Sequence, residues 1–140
     1  MFDLIADDMN YYQNQYDKCC NFLITGDFNA RVGERVDYVE NESLLNLDLL
    51  PDDYVEDDVL PRFSCDKTVN ENGRHLLDLC KATGLRILNG RKGYNEDGEF
   101  TCITSQGSSV IYLVMCRKQM FSFFKLLRYM MQILYLVIQL

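Results

Sequence analysis

The stretch Leu23-Ile-Thr-Gly-Asp-Phe-Asn-Ala-Arg-Val-Gly33 carries the strongest structural signal in this sequence. The apolar run 21–26 stops at a glycine, which predicts a short buried β-strand. Asp27 and Asn29 follow at the end of that strand, where functional groups of α/β folds tend to lie. Because they are two residues apart, both side chains can leave an extended backbone in the same direction, while Phe28 points into the core.

A carboxylate beside an amide suits the hydrolysis of a phosphodiester. Asp27 can orient a water molecule or hold a metal ion, and Asn29 can donate a hydrogen bond to a phosphate oxygen. The same residue types also serve in any turn that ends a strand. Taken alone, the stretch is therefore compatible with a catalytic site and with a purely structural turn.

The surrounding pattern alternates helices and strands, which predicts an α/β fold. Residues 2–18 form an amphipathic helix in this prediction, with apolar positions Phe2, Ile5, Met9, Tyr12 and Tyr16. Asn72-Gly73 opens a second helix that ends near Gly84. The remaining strands are predicted at 85–89, 99–104 and 110–116, the last two on either side of a polar turn. Residues 34–72 are rich in acid and are predicted to form a surface loop.

Charge and cysteine content restrict the class of protein. The formal net charge of -7 and the pI of about 4.6 disfavour unaided binding to nucleic acid, although a metal-dependent nuclease tolerates such a charge. The six cysteines form no C-x-x-C pair, and the chain starts with an acidic segment. These features predict reduced thiols in an intracellular protein, nuclear or cytoplasmic and not secreted. The tail 120–140 is apolar, but its uncharged run 129–140 is too short to span a membrane.

The motif Gly26-Asp-Phe-Asn29 resembles the signature of the endonuclease/exonuclease/phosphatase superfamily. The segments 69–80 and 84–90 look like the stretch that follows this motif in endonucleases of non-LTR retrotransposon polyproteins, which also carry a reverse transcriptase. Gly98-Glu-Phe-Thr-Cys102 and Gly107-Ser-Ser-Val-Ile111 are similar to the next two elements of that family. The resemblance covers about residues 20–116. It implies a magnesium-dependent phosphodiesterase whose substrate and partner is DNA.

The resemblance also implies roles for four residues. Asp27 would orient the attacking water, and Asn29 would contact the scissile phosphate. Thr101 would line the substrate site, and Ser109 would begin a Ser-x-Ile-Asp element whose aspartate orients a catalytic histidine. From the residues alone, Thr101 and Ser109 are equally well explained as ordinary strand and turn polarity.

The implied fold is a sandwich of two β-sheets, of which this chain would form only a part. Residues 1–119 are predicted as a partial domain that lacks the N-terminal half, followed by a divergent tail at 120–140. Without that half, the inner face of the sheet would lose its cover. We therefore expect apolar side chains there to be exposed and the packing to be loose. The side chains concerned are Ile24, Ile87, Leu88, Val110 and Ile111.

Three departures from the family pattern predict an inactive enzyme. Nothing before Asn21 matches the glutamate that holds magnesium, so no metal ligand is assigned and the cofactor is doubtful in this chain. Tyr112 stands where the aspartate after Ile111 is expected, and the closing Ser-Asp-His is absent. His75 lies within a predicted helix, where a solvated or capping role suits it better than catalysis.

Two other functions remain open at this stage. The first is a non-catalytic interaction protein whose acidic region 37–72 contacts a basic partner. The second, which is less favoured, is a small membrane-associated protein that uses the tail 120–140. The sequence does not determine an oligomeric state.

Overall fold

The computed structural model describes residues 1–16, 21–39, 61–91 and 96–126. Helices and strands are mixed along the chain, which confirms the α/β prediction at that level. The elements, in chain order, are α1 (Phe2–Tyr16), β1 (Leu23–Asp27), α2 (Glu71–Thr83), β2 (Leu85–Ile87), β3 (Cys102–Thr104), β4 (Gly107–Ser109), β5 (Tyr112–Arg117) and a short 3-10 helix (Lys118–Met120).

The strand β5 is the centre of the main sheet, whose strand order is β1-β5-β2 with antiparallel pairing on both sides. The ladder between β1 and β5 places Leu23 opposite Cys116 and Asp27 opposite Tyr112. Because β5 lies between β1 and β2, the segment after the predicted polar turn pairs with strands from two distant parts of the sequence.

The small sheet corrects the predicted pairing of the last two strands. β3 pairs with β4, so that Cys102 lies opposite Ser109, and β5 belongs to the other sheet. The hairpin is tighter than predicted because the Thr104 hydroxyl accepts a hydrogen bond from the amide of Gln106, at 3.2 Å. This contact closes the turn early and makes residues 107–109 a strand instead of part of the turn.

The strand β1 is less buried than its apolar sequence predicts. It pairs with β5, and its side chains alternate between exposed and half-buried positions. Leu23 is 50% exposed, whereas Ile24 packs against the core. An apolar run does not reveal whether both faces of a strand are covered, and here one face is.

The helix α2 starts earlier than predicted because Asn70, and not the Asn72-Gly73 pair, caps it. The Asn70 side-chain oxygen accepts a hydrogen bond from the amide of Gly73, at 2.8 Å, which satisfies one of the unpaired donors at the helix start. The helix ends as predicted at Gly84, whose left-handed φ of 71° forms the C-cap.

The core forms where α1 and α2 pack against each other and α2 packs against β2. Met9 of α1 is buried in this core, as the helical pattern predicts, and Phe2 and Ile5 pack against it. The pattern is wrong for the second half of α1, since Tyr12 and Tyr16 are 48% and 69% exposed. Their rings stack on each other instead, with centroids 6.3 Å apart.

The expected loss of cover on the sheet is wrong for three of the five side chains named above. Ile87 is fully buried, and Leu88 and Val110 are each 2% exposed. The cause is the second helix, because Leu76, Leu77 and Cys80 on α2 belong to the same buried cluster as Ile87 and Val110. Helix α2 of this chain thus covers most of the apolar side chains that were expected to be exposed.

The described ends of the acidic region 34–72 also differ from a surface loop. Asp37 is fully buried, and its carboxylate binds the guanidinium of Arg91 and the amide of Ile87, the latter at 2.7 Å. The Nε of Arg91 donates to the carbonyl of Ile87, also at 2.7 Å. The side chains of Asp37 and Arg91 thereby bind the amide and the carbonyl of Ile87 at the outer edge of β2. Residues 40–60, the middle of the predicted loop, lie outside the described residues.

The predicted tail 120–140 begins in contact with the rest of the chain. The ring of Phe121 lies under the guanidinium of Arg91, 5.6 Å from its central carbon. Residues 127–140 are outside the described part, and none of the described helices is long and apolar enough to cross a membrane. The cysteines described as free thiols are Cys65, Cys80, Cys102 and Cys116.

Candidate functional site

Asp27 and Asn29 lie together on the surface at the end of β1. The Asp27 carboxylate accepts a hydrogen bond from the amide of Asn29, at 2.9 Å. Both residues are exposed, whereas Phe28 between them is buried, as the sequence predicts. The backbone, however, does not stay extended, because Asn29 adopts a left-handed conformation with φ of 47°. The two side chains therefore project from a tight turn.

Thr101 joins this surface from a distant part of the sequence. Its hydroxyl oxygen accepts hydrogen bonds from the amides of Ile111 and Tyr112, each at 3.0 Å. Tyr112 is the ladder partner of Asp27, and the amide of Phe28 donates to the carbonyl of Ile111 at 3.2 Å. Asp27 and Thr101 thus both neighbour Tyr112 at the start of β5.

Ser109 contacts the site through its main chain. Its carbonyl accepts a hydrogen bond from the amide of Thr101, at 3.0 Å, and its side chain is half-buried. Ser109 therefore helps to hold Thr101 in place.

The positions that should handle protons carry other groups. Tyr112, which stands where the resemblance expects an aspartate, is 49% exposed and lies opposite Asp27. A phenol hydroxyl has neither the charge nor the two acceptor oxygens of a carboxylate, so it cannot replace a carboxylate that orients an imidazole. His75 is exposed on α2 and meets the ring of Phe2 edge-on, with centroids 6.3 Å apart. His75 is thus exposed to solvent, which is one of the two positions predicted for it.

Asn70 supports the turn, a role that the sequence analysis missed. Its side-chain oxygen accepts from the amide of Arg31, and its side-chain nitrogen donates to the carbonyl of Asn29, both at 2.9 Å. Its own amide donates to the carbonyl of Arg31 at 3.0 Å. The sequence could have identified Asn70 as the N-cap of α2, because asparagine is a preferred capping residue. It could not have shown that Asn70 contacts the turn at Asn29.

Asp66 supports the site from behind, and no local pattern predicts it because its partners are distant in sequence. Its carboxylate binds Arg31 through two hydrogen bonds of 2.7 Å and accepts the amide of Val110 at 3.1 Å. Burial opposes ionisation of Asp66, but the bonds from Arg31, Thr68 and Val110 outweigh it and hold the pKa of the carboxyl below its usual value. Asp66 is thus a structural anion.

The described residues do not fit a magnesium centre. Within these residues, no three acids, histidines or cysteines come close enough to hold an ion, so a magnesium ion here would depend on one or two carboxylates and on water. The Glu34 carboxylate, which follows the Asp27 turn in the sequence, binds the Lys67 ammonium at 2.6 Å. That bond lowers the pKa of the Glu34 carboxyl. Asp27 is the carboxylate that remains at the site.

Asp27 and Asn29 are exposed at the surface of the candidate site. A cavity of about 480 Å³ lies elsewhere, between the segment 34–36 and α2. Acidic and basic side chains alternate around it, and none of the four predicted site residues lines it. These lining residues include Glu34, Arg35, Arg74, Asp78 and Lys81.

Comparison with known proteins adds no relative to this description. No protein-family model matches the chain, and neither a curated protein nor a solved structure matches it. The geometry of the site is therefore the basis for a functional proposal, together with the resemblance in sequence motifs.

Proposed function

We propose that this chain is a fragment of a magnesium-dependent phosphodiesterase, an endonuclease acting on DNA and derived from a retrotransposon, and that it is inactive as it stands. The observation that carries the proposal is that Tyr112, at the start of β5, pairs with Asp27 and donates its amide to the Thr101 hydroxyl, while Asn29 binds Asp27. The resemblance assigns Asp27, Asn29 and Thr101, from two separate segments, to one site.

Each residue has a defined part in this proposal. The side-chain amide of Asn29 donates a hydrogen bond to a phosphate oxygen. One oxygen of Asp27 binds the main-chain amide of Asn29, and the other oxygen accepts a hydrogen bond from a water molecule. The hydroxyl oxygen of Thr101 already accepts two backbone amides, so Thr101 orders the start of β5. Tyr112 stands in place of the aspartate that would orient a histidine, so the described residues lack that histidine–aspartate route for the proton of the water.

The missing half of a two-sheet sandwich belongs to the same proposal. Its support is β1, which leaves Leu23 half exposed although the strand is apolar. An exposed apolar strand at the side of a sheet is suited to pairing with further strands.

The described residues do not favour the alternative of an acidic interaction surface at 37–72. Asp37 and Asp66 are buried and bind Arg91 and Arg31, so their charges are not available to a partner. The centre of that region, 40–60, lies outside the described residues.

The first prediction is that the chain does not nick supercoiled plasmid in the presence of magnesium. Catalytic groups that act as a unit are strongly non-additive, so Asp27 and Asn29 alone should give little rate enhancement. The measurement compares the chain with Asp27→Ala, each with and without chelator. Nicking that requires the cation and disappears in Asp27→Ala would contradict the inactive state.

A second prediction tests the ancestry separately. The DNA on either side of the coding segment is expected to encode the remaining half of the nuclease upstream and a reverse transcriptase downstream. Sequencing these flanks settles the point without any assay on the chain. Flanks that encode neither would remove the retrotransposon origin, whatever the nicking assay shows.

A further inference from the structure

The left-handed turn at Asn29 requires an explanation, because only a few per cent of non-glycine residues adopt a positive φ. Asparagine tolerates this conformation better than most residues. The Asp27 carboxylate stabilises it from one side by accepting the Asn29 amide at 2.9 Å. The carbonyl of Asn29 lies on the other side of the turn and needs a donor of its own.

The side chain of Asn70 supplies that donor and completes a two-point contact. Its nitrogen donates to the Asn29 carbonyl and its oxygen accepts the Arg31 amide, both at 2.9 Å. One carboxamide therefore binds a donor and an acceptor on either side of residue 30, as a neighbouring strand would. Asn72 also reaches the Asn29 carbonyl, but at the longer distance of 3.4 Å.

The helix α2 fixes the position of this carboxamide. The oxygen of Asn70 also accepts the Gly73 amide at 2.8 Å, and the main chain of Asn70 donates to the Arg31 carbonyl at 3.0 Å. Asn70 is thus tied to the first turn of a 13-residue helix whose apolar side is part of the core. A rigid element therefore holds the turn from behind.

We propose that Asn70 is a positioning residue that sets the left-handed conformation of Asn29 and so directs the Asp27 and Asn29 side chains to one phosphate-binding surface. The ligand class, a phosphate group, rests on the proposed function. The conformational part does not, because it follows from the hydrogen bonds alone.

The test replaces Asn70 with serine, which caps a helix about as well as asparagine but is too short to make the two-point contact. Asn72→Ser is the matched control, since it removes the longer bond to the same carbonyl. Isotope-labelled chains are compared by nuclear magnetic resonance. The scalar coupling and carbon shifts of Asn29 report its φ, and the signals of Asp27 and Asn29 are followed during titration with inorganic phosphate.

We expect Asn70→Ser to lose the left-handed signature of Asn29 and to need at least threefold more phosphate for the half-maximal shift, with little change in melting temperature. Asn72→Ser should behave as the original chain. If Asn29 keeps its conformation and its phosphate response in Asn70→Ser, the positioning role is overturned. If the original chain shows no response to phosphate, the phosphate-binding role of Asp27 and Asn29 fails, and the coupling of Asn29 still decides the role of Asn70.

Discussion

Replacing Arg91 with methionine is expected to lower the free energy of unfolding by about 3 kcal/mol, the largest effect of any substitution considered for this chain. Arg91 and Asp37 form an ion pair in which the side chains are 5% and 0% exposed. Removing the guanidinium leaves the buried carboxylate without this ion pair, although the Ile87 amide still donates to it. Total stabilities of such domains are about 5–15 kcal/mol, so the loss should be visible in a urea titration.

The neighbouring guanidinium of Arg62 explains why we expect the low end of the range for a broken buried pair. Arg62 is itself buried, and its desolvation lowers its pKa, as does the positive charge of Arg91, against the opposing attraction of Asp37. Loss of Arg91 therefore relieves some repulsion. That relief is smaller than the loss to Asp37, because Arg91 touches the carboxylate directly and Arg62 donates to the carbonyl of Arg35.

Two controls separate the buried pair from charge in general. Lys67→Met removes the exposed pair with Glu34 and should leave the unfolding midpoint unchanged, since exposed pairs contribute little. Asp37→Asn combined with Arg91→Met should recover most of the loss, because a neutral amide oxygen can still accept the Ile87 amide. An Arg91→Met variant as stable as the original chain would show that water reaches the carboxylate of Asp37.

Local patterns in the sequence were sufficient for the elements that depend on a single periodicity or a single cap. The second helix ends at Gly84 as predicted, and Phe28 is buried between exposed Asp27 and Asn29. Each of these features is determined by neighbours within a few residues. The strand β5 is likewise close to its predicted range, since its apolar run is continuous.

Features that depend on distant partners were missed for a physical reason. Asp66 reaches Val110 and Arg31 across 44 and 35 positions, and Asp37 reaches Arg91 across 54. A high density of acidic residues predicts a solvated loop because burial of a lone carboxylate is costly. The prediction is wrong where the fold brings an arginine to that carboxylate, which no local pattern reveals.

The candidate site residues come from the motif resemblance, whereas their geometry could not be predicted. The motif resemblance named Asp27, Asn29 and Thr101, and in the structure Asp27 and Thr101 both neighbour Tyr112. The resemblance did not predict the left-handed turn at Asn29 or the hydrogen bond from Asn70 that supports it. The reason is that the turn depends on α2, which lies on the far side of a long intervening segment.

The helix contact behind the site leads to the second large effect, in which Gly73→Ala is expected to lower the free energy of unfolding by about 2–3 kcal/mol. In most helices this exchange stabilises by up to about 1 kcal/mol. Here an added Cβ would lie 1.9 Å from the carbonyl oxygen of Arg31, which is backbone and cannot simply rotate away. The first turn of α2 must therefore move back, and the hydrogen bond from Asn70 to Asn29 lengthens.

Gly26→Ala is the matched control, because its Cβ meets nothing within 4 Å, and it should be neutral or slightly stabilising. Urea unfolding of both variants measures the difference. A Gly73→Ala chain as stable as Gly26→Ala, with the resonances of Asn29 unchanged, would show that α2 does not press on the turn.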